Sequence, residues 1–470
     1  MTVESLALES HIFNAHVSEP KPFAKAGSGI TFDVETTTGT HERVIDAITG
    51  AAVGSLGWGD KDVPKMFQNA LEKHTYSFPA NIINEEAEKL SKFYIDNSPE
   101  GVFCSALWTC SGSESNENAM KIVRQYQKER GKPRKIKVIT RECSYHGFTI
   151  GSMSMGNNII SDQFIEFQNS DIFLKMPRCF PYKDMKEGET EDQYAARLLD
   201  VLEKMILDND PETVSCVCVE TLPGSSIGTA PPPKSYLKGL RDLCNKYDIV
   251  FMLDEVMCGT GRSNPNSGLN CWENFLDPED GPDIQTVGKT LGSGYVTIAG
   301  VLVGPKIMKS YMSGSGYIIG AQTYHTHGLN CSVALQIQEK IKSLELTKNI
   351  WEKGNSLGAK LTDALIDEDI VGDVRGIGGF WTIEFVKDKS TKTNFSPDLK
   401  VATRFGQIAL KHGLSVMALT CSSSKRGESW DIAMFAPSYI ITDDDVDEMV
   451  ARTLKSVKTL SKELIVEGSF

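Results

Sequence analysis

The stretch Ile249-Val-Phe-Met-Leu-Asp254-Glu255-Val256 decides the fold. Its apolar residues run without alternation and then stop on two carboxylates. An unbroken run of this kind reads as a strand covered on both faces, the mark of a parallel sheet flanked by helices. Working outward, Val102 to Leu107, Ile136 to Thr140, Val214 to Val219, Ile284 to Val287 and Ile298 to Val303 read as companion strands. Helical patterns fall between them. Glu114 to Glu129 puts Ala119, Ile122, Val123 and Tyr126 on one face and has Gly131 placed to close it, while Gln193 to Leu207 and Lys234 to Tyr247 repeat the pattern. This alternation, from about residue 100 to 305, predicts an α/β fold built on a parallel sheet.

Beyond about residue 330 the texture changes to helix, Ser332 to Leu346 and Trp351 to Leu365, then strand-like Phe380 to Val386 and a last helix from near Asp443. This predicts a second, smaller α+β unit. The expected organisation is a segment 1–60 packing with the small domain, a large domain 61–330, and a C-terminal small domain 331–470. No linker-like or low-complexity tract separates them, so they are expected to pack rather than hang by a tether.

Composition removes several function classes. A net charge of -13 with no Lys/Arg stripe repels phosphate backbones and anionic lipid, so no nucleic acid partner is expected. No apolar run reaches membrane-span length, and the start Met1 to Ser10 lacks the positive region of a signal peptide. Eleven cysteines, an odd number without a disulfide framework, fit a cytoplasmic protein with reduced thiols. Cys216 and Cys218 sit in an apolar strand pattern and read as core, so no metal is expected.

Two phosphate motifs fail on inspection. Gly288-Lys289-Thr290 resembles the end of a P-loop, but the glycine required five residues earlier is Asp283; Gly259-Thr-Gly261 lacks a third glycine at Asn264. A different anion site survives at Ser111-Gly-Ser-Glu114, where a strand hands over to a helix whose free N–H groups point outward; a plain capping box of Ser111 with Glu114 is the bland alternative. Asp254 stands at the carboxyl end of a parallel strand, where open α/β sheets bind ligands, and a buried carboxylate there wants a cation. Lys289 follows another strand end and precedes Leu291-Gly-Ser-Gly-Tyr295, a setting in which a lysine can lose its proton.

Taken together these segments resemble the class III (omega-type) aminotransferases of pyridoxal 5′-phosphate (PLP) fold type I. The resemblance runs through Ser111-Gly-Ser-Glu-Ser-Asn-Glu-Asn-Ala-Met-Lys121, Tyr145-His-Gly147, Leu253-Asp-Glu-Val-Met-Cys-Gly-Thr-Gly-Arg262, Asp283-Ile-Gln-Thr-Val-Gly-Lys289 and Gln322-Thr-Tyr-His-Thr-His327. It implies an aspartate aminotransferase-like large domain with a mostly parallel seven-stranded sheet, plus the smaller α+β domain. It further implies that Lys289 holds PLP as a Schiff base and carries protons, and that Asp254 pairs with the pyridine nitrogen. Tyr145 and Val256 would cover the two ring faces. Ser111, Gly112 and Ser113 would bind the phosphate, with His146 and Met257 completing the cofactor set and Glu220 gating substrate charge. Thr323 looks like the threonine that reaches the phosphate of a neighbouring subunit, which implies a homodimer with shared active sites.

The implied activity is ping-pong transfer of an amino group from an amine or amino acid donor to an oxo acid or aldehyde acceptor. A racemase, aminomutase, decarboxylase or lyase on the same fold is the alternative. Trp58 and Arg426 are the expected substrate contacts, with Ala51, Ala52 and Val53 at the mouth. Gly328 stands where the family has proline, Ala436-Pro-Ser438 departs from Ala-Pro-Pro, and Arg426 only approximates the carboxylate-binding arginine.

Overall fold

Apolar runs punctuated by glycine turns give three sheets in a computed structural model that describes residues 12–13, 21–37 and 39–470. The first is β1 (Phe23–Ser28), β2 (Thr31–Glu35) and β3 (His41–Asp46), an antiparallel meander. The second holds β4 (Ser105–Thr109), β5 (Lys137–Arg141), β6 (Phe173–Met176), β7 (Val214–Glu220), β8 (Val250–Asp254), β9 (Ile284–Val287) and β10 (Ala299–Val303). The third holds β11 (Val371–Ile377), β12 (Phe380–Phe385), β14 (Met417–Ser423) and β15 (Glu428–Phe435), while the short β13 (Leu414–Ser415) adds in parallel to β3. That pairing stitches the N-terminal meander onto the C-terminal part of the chain.

The large sheet has seven strands in the order β4-β10-β9-β8-β7-β5-β6, parallel except for β10. Every residue of β7, β8, β9 and β10 is buried, which is why these strands read as unbroken apolar runs. β10 runs antiparallel because the link from β9 contains only a single 3₁₀ turn, Lys289–Leu291, too short for a crossover helix. Register aligns the carboxyl ends: Glu220 lies opposite Asp254, and Asp254 opposite Thr286.

Helix Gly112–Glu129 begins two residues before the expected start, and Gly328–Ser343 begins four before it, at the cost of the last three expected residues. The first strand starts at Ser105 rather than Val102, because Val102 and Phe103 are buried in the loop that leaves the Pro99-Glu-Gly101 turn. Burial without strand pairing explains their apolar character. β6 was not foreseen, because Lys175 interrupts its apolar pattern. The ammonium is nonetheless satisfied, donating to Thr140 Oγ1 and to the carbonyls of Ser154 and Met155 at 2.7–2.8 Å, and burial pushes its pKa down to about 7.

One apolar core lies on the large sheet, a second among helices Gly328–Ser343, Leu346–Leu365 and Asp443–Val466, and a third joins Ile48, Cys143, Leu222, Phe380 and Trp430 from all three parts of the chain. No helix among the described residues is long and apolar enough to cross a membrane.

Candidate active site

The carboxyl ends of β7, β8 and β9 open into a cavity of about 540 Å³. Its walls include Ser111, Gly112, Ser113, Tyr145, His146, Glu220, Asp254, Val256, Met257 and Lys289, ten of the residues singled out above. They come from five separate segments that the sheet register and the helix Gly112–Glu129 bring to one place.

Ser111 caps that helix, its Oγ accepting from Glu114 N–H at 3.2 Å. Glu114 reaches back one residue further than a reciprocal capping box requires and accepts from Cys110 N–H at 2.7 Å. The first-turn N–H groups of Gly112 and Ser113 find no partner among the described residues and face the cavity at the positive end of the helix. Gly112 is required here, since a Cβ would sit 2.7 Å from Val256 Cγ1. Ser113 Oγ accepts from Phe148 N–H at 2.9 Å, and Gly147, at φ 132°, makes that approach possible.

Asp254 is buried and held by three donors. Oδ2 accepts from Asn116 Nδ2 at 2.9 Å and from His146 Nδ1 at 2.8 Å, and Oδ1 accepts from Val256 N–H at 3.0 Å. The tautomer with its proton on Nδ1 satisfies this contact, and Nε2 is buried without a partner among the described residues. Asn116 is itself fixed, donating to the His146 carbonyl at 2.7 Å and accepting from Thr286 Oγ1 at 3.2 Å. Asn116 lies one helical turn after Gly112 and so shares its face, the one signal in the sequence that links it to the site.

Glu255, adjacent to Asp254, turns away from the cavity. Its Oε1 accepts from Thr221 Oγ1 and Trp272 N–H, and its Oε2 from Cys271 N–H and Gln285 Nε2, at 2.7–3.2 Å; burial pushes its pKa up to about 8. Glu255, Cys258 and Cys271 are spaced as three metal ligands could be, but those four donors already occupy the carboxylate's lone pairs.

Lys289 Nζ makes no hydrogen bond or ion pair among the described residues. The residue sits at φ 48°, and burial lowers its pKa, with Asp254 opposing and the buried Arg262 guanidinium reinforcing the shift. Arg262 is fully buried and donates to the carbonyls of Gly379 and Pro437 at 3.1 and 2.9 Å. Glu220 accepts from Ser226 Oγ at 3.1 Å and from Tyr145 N–H at 3.4 Å; burial raises its pKa, so it holds a proton more readily than an exposed glutamate. Tyr145 leaves 36% of its surface bare, unusual for a ring in a wall unless something is to lie on it.

Four expected residues stand elsewhere. Ala52, expected at the mouth, is fully buried and outside the cavity wall. Thr323 is exposed and outside the cavity, its carbonyl accepting from Tyr76 Oη at 2.9 Å. Trp58 stacks on Phe32 with centroids 4.6 Å apart and donates to Asp46 Oδ2 at 2.8 Å; it lines an adjoining cavity of about 280 Å³ that shares Val53 and Gly294 with the main one. Arg426 is held off the cavity by Glu142 at 3.4 Å and Asp184 at 3.3 Å. The rest of the wall includes Ala51, Val53, Leu222, Ser225 and Met417, the last from β14 of the C-terminal part, which no local signal in the sequence could have placed here.

These groups suit PLP. A buried carboxylate shares the cavity with a half-buried lysine whose Nζ has no partner, a helix start with free N–H groups is shaped by a glycine that a methyl would block, and an aromatic face is left bare. Fold and cavity therefore define a fold type I PLP enzyme.

The family profile described as Aminotransferase class-III matches residues 29–457, and the chain belongs to that family. It is 32% identical over 460 residues to a diaminobutyrate--2-oxoglutarate transaminase of Halomonas elongata, covering 97% of this chain and 94% of that protein. It is 34% identical over 452 residues, 96% and 95% of the two chains, to an uncharacterized aminotransferase of Schizosaccharomyces pombe. Among solved structures, the omega transaminase from Pseudomonas jessenii in complex with PMP superposes with a TM-score of 0.86 at 26% identity, covering 97% of this chain and 96% of that one. The chain is a PLP-dependent transaminase, moving an amino group between an amine or amino acid and an oxo acid or aldehyde.

Proposed function

We propose that the roles divide as follows within this cavity. Lys289 Nζ, unpaired and desolvated, is the covalent anchor of PLP and the carrier of the proton that moves at the substrate carbon. Asp254, oriented by Asn116 and His146, holds a proton on the pyridine nitrogen. Ser111, Gly112 and Ser113 take the phosphate at the helix start, Tyr145 and Val256 pack on opposite ring faces, and Met257 closes the side against Gly224. When bound, PLP supplies the electron sink that makes the substrate's C–H bond acidic. The observation that carries this reading is the meeting of Lys289, Asp254 and the free N–H groups of Gly112 and Ser113 in one cavity.

On substrates, the walls Ala51, Val53, Leu222, Ser225, Met257 and Met417 are uncharged, which favours an amine or amino acid whose chain next to the reacting carbon is uncharged. Arg426 would meet a carboxylate only by leaving Glu142 and Asp184, so its contribution is confined to acidic substrates. Glu220, with its raised pKa, adapts its charge to the group beside it.

Thr323 serves the site of a second copy in a homodimer: it is exposed, outside its own cavity, and flanked by exposed Tyr76 and Tyr324 rings 6.2 Å apart. Eleven free cysteines support a reducing, cytoplasmic setting.

The test is a donor and acceptor panel read by the cofactor's visible absorption. Amine donors should bleach the band and pyruvate or 2-oxoglutarate restore it. A band indifferent to every donor would refute the reading, and racemised donor without oxo acid product would replace it.

A further inference from the structure

Lys289 occupies a backbone conformation unfavourable to any residue with a side chain. At φ 48° it opens the 3₁₀ turn Lys289–Leu291, and such a residue stays put only where its surroundings over-determine it. A single buried side chain from another part of the chain supplies most of that constraint. Gln338 Nε2 donates to the carbonyl of Thr290 at 3.0 Å and to that of Leu291 at 2.9 Å, the two residues that follow Lys289. Weaker ties come from the N-terminal side, where Ser55 Oγ donates to the Thr290 carbonyl at 3.4 Å and Leu56 N–H donates to Ser293 Oγ at 2.9 Å.

Gln338 is an exception on its own helix. Gly328–Ser343 buries Ala334, Leu335, Ile337 and Ile341, and an apolar residue would fit that pattern. Gln338 is 1% exposed, and its Oε1 has no partner among the described residues. A buried amide that leaves its acceptor unpaired is a net burden unless its donor does something an apolar side chain could not. Here the donor reaches two carbonyls of the turn that carries the lysine.

We propose that Gln338 is a positioning residue for Lys289: its amide clamps the Thr290 and Leu291 carbonyls and so fixes the backbone from which Nζ enters the cavity. The proposal rests on the reading of Lys289 as the cofactor anchor. Nζ makes no bond of its own, so the backbone alone sets its bearing, and loosening residues 290–291 spreads the positions Nζ can take.

Gln338→Met keeps length and volume and removes the donor. Gln336→Met is the control on the same helix, since Gln336 Nε2 donates to the Met66 and Ser332 carbonyls, far from the turn. In the cofactor-free protein, hydrogen exchange of the Lys289–Ser293 amides should rise about tenfold in Gln338→Met, as expected for loss of the amide's two hydrogen bonds at their modest net worth, while strand Val214–Glu220 is unmoved. In the loaded enzyme kcat should fall by a similar factor with little change in the donor's KM. Gln336→Met should do neither. If Gln338→Met does not fold, Gln338→Glu has the same shape and donates only when protonated, so its deficit relative to wild type should shrink from pH 8 to pH 6. Unchanged exchange and kcat, an equal effect in Gln336→Met, or a pH-independent deficit in Gln338→Glu would overturn the proposal. Borohydride reduction of the loaded wild type followed by peptide mapping separates the two readings. A label away from Lys289 defeats the site assignment itself, whereas a label on Lys289 with indifferent Gln338 variants defeats only the clamp.

Discussion

Asp254→Asn keeps the shape of the group proposed to hold the pyridine nitrogen and removes its charge. Three donors converge on the wild-type carboxylate: Asn116 Nδ2 and His146 Nδ1 on Oδ2, and Val256 N–H on Oδ1. An amide can turn its oxygen toward the first two, but its NH₂ then faces the Val256 N–H. One hydrogen bond is lost and two donors oppose each other, which costs about 1–3 kcal/mol of stability. The electrostatic loss is separate. At an ion-pair separation of about 4 Å and an effective dielectric near 20, the lost attraction is about 4 kcal/mol. Where that attraction is made only as charge develops in the reaction, about 4 kcal/mol is about three powers of ten in rate. The assay is a single-turnover reaction with excess amine donor, followed through the cofactor's visible absorption. Thermal unfolding of the cofactor-free variant provides the control for fold. A turnover rate within about tenfold of wild type would place less than about 1.4 kcal/mol on the charge and refute the assigned role.

Lys289→Ala should fold and still bind PLP, but borohydride should no longer fix the cofactor to the chain; a reduced, labelled peptide from elsewhere would refute the anchor. Gly112→Ala drives a methyl to 2.7 Å from Val256 Cγ1, and overpacking of about 1–3 kcal/mol should weaken cofactor retention in equilibrium dialysis, with Val256→Ala in the same chain restoring part of it. Burial raises the pKa of Glu220 and lifts that of Glu255 from its ordinary 4.5 to about 8. A carboxyl whose folded pKa is raised binds its proton more tightly folded than unfolded, so its contribution is complete below the unfolded pKa and is lost as pH climbs through the folded one. The melting temperature of the cofactor-free protein should therefore fall between about pH 5 and pH 8, and Glu255→Gln should flatten that slope; an unaltered slope in the variant would remove Glu255 as its source.

Where backbone geometry is local, the sequence was legible down to single residues. Asp254 ends a buried strand, Gly112 and Ser113 open a helix, and Lys289 stands one residue, Gly288, beyond the end of β9; each position follows from an apolar run and the residue that breaks it. The small boundary errors had physical causes of the same local kind, such as Val102 and Phe103, apolar because buried and yet outside the ladder. Legibility failed where a side chain's place depends on a partner far away in the chain. Lys175 hid β6 because a charged residue in a strand reads as a break until Thr140, Ser154 and Met155 are seen to receive it.

Trp58 and Arg426 carry chemistry that suits a substrate, but carboxylates elsewhere in the chain hold both: Asp46 takes the indole N–H, and Glu142 with Asp184 takes the guanidinium. Asn116 and Gln338 escaped for the opposite reason, since an asparagine or glutamine on a helix carries no signal until its two distant hydrogen-bond partners are known. The groups proposed to hold the cofactor stand at strand ends and helix starts, which place them by themselves. The walls proposed to face the substrate, Ala51, Val53, Leu222 and Met417, come from separate segments that only tertiary packing brings together. Substrate choice in this fold can therefore drift by substitutions in segments remote from the motifs, while the cofactor site stays readable in the sequence.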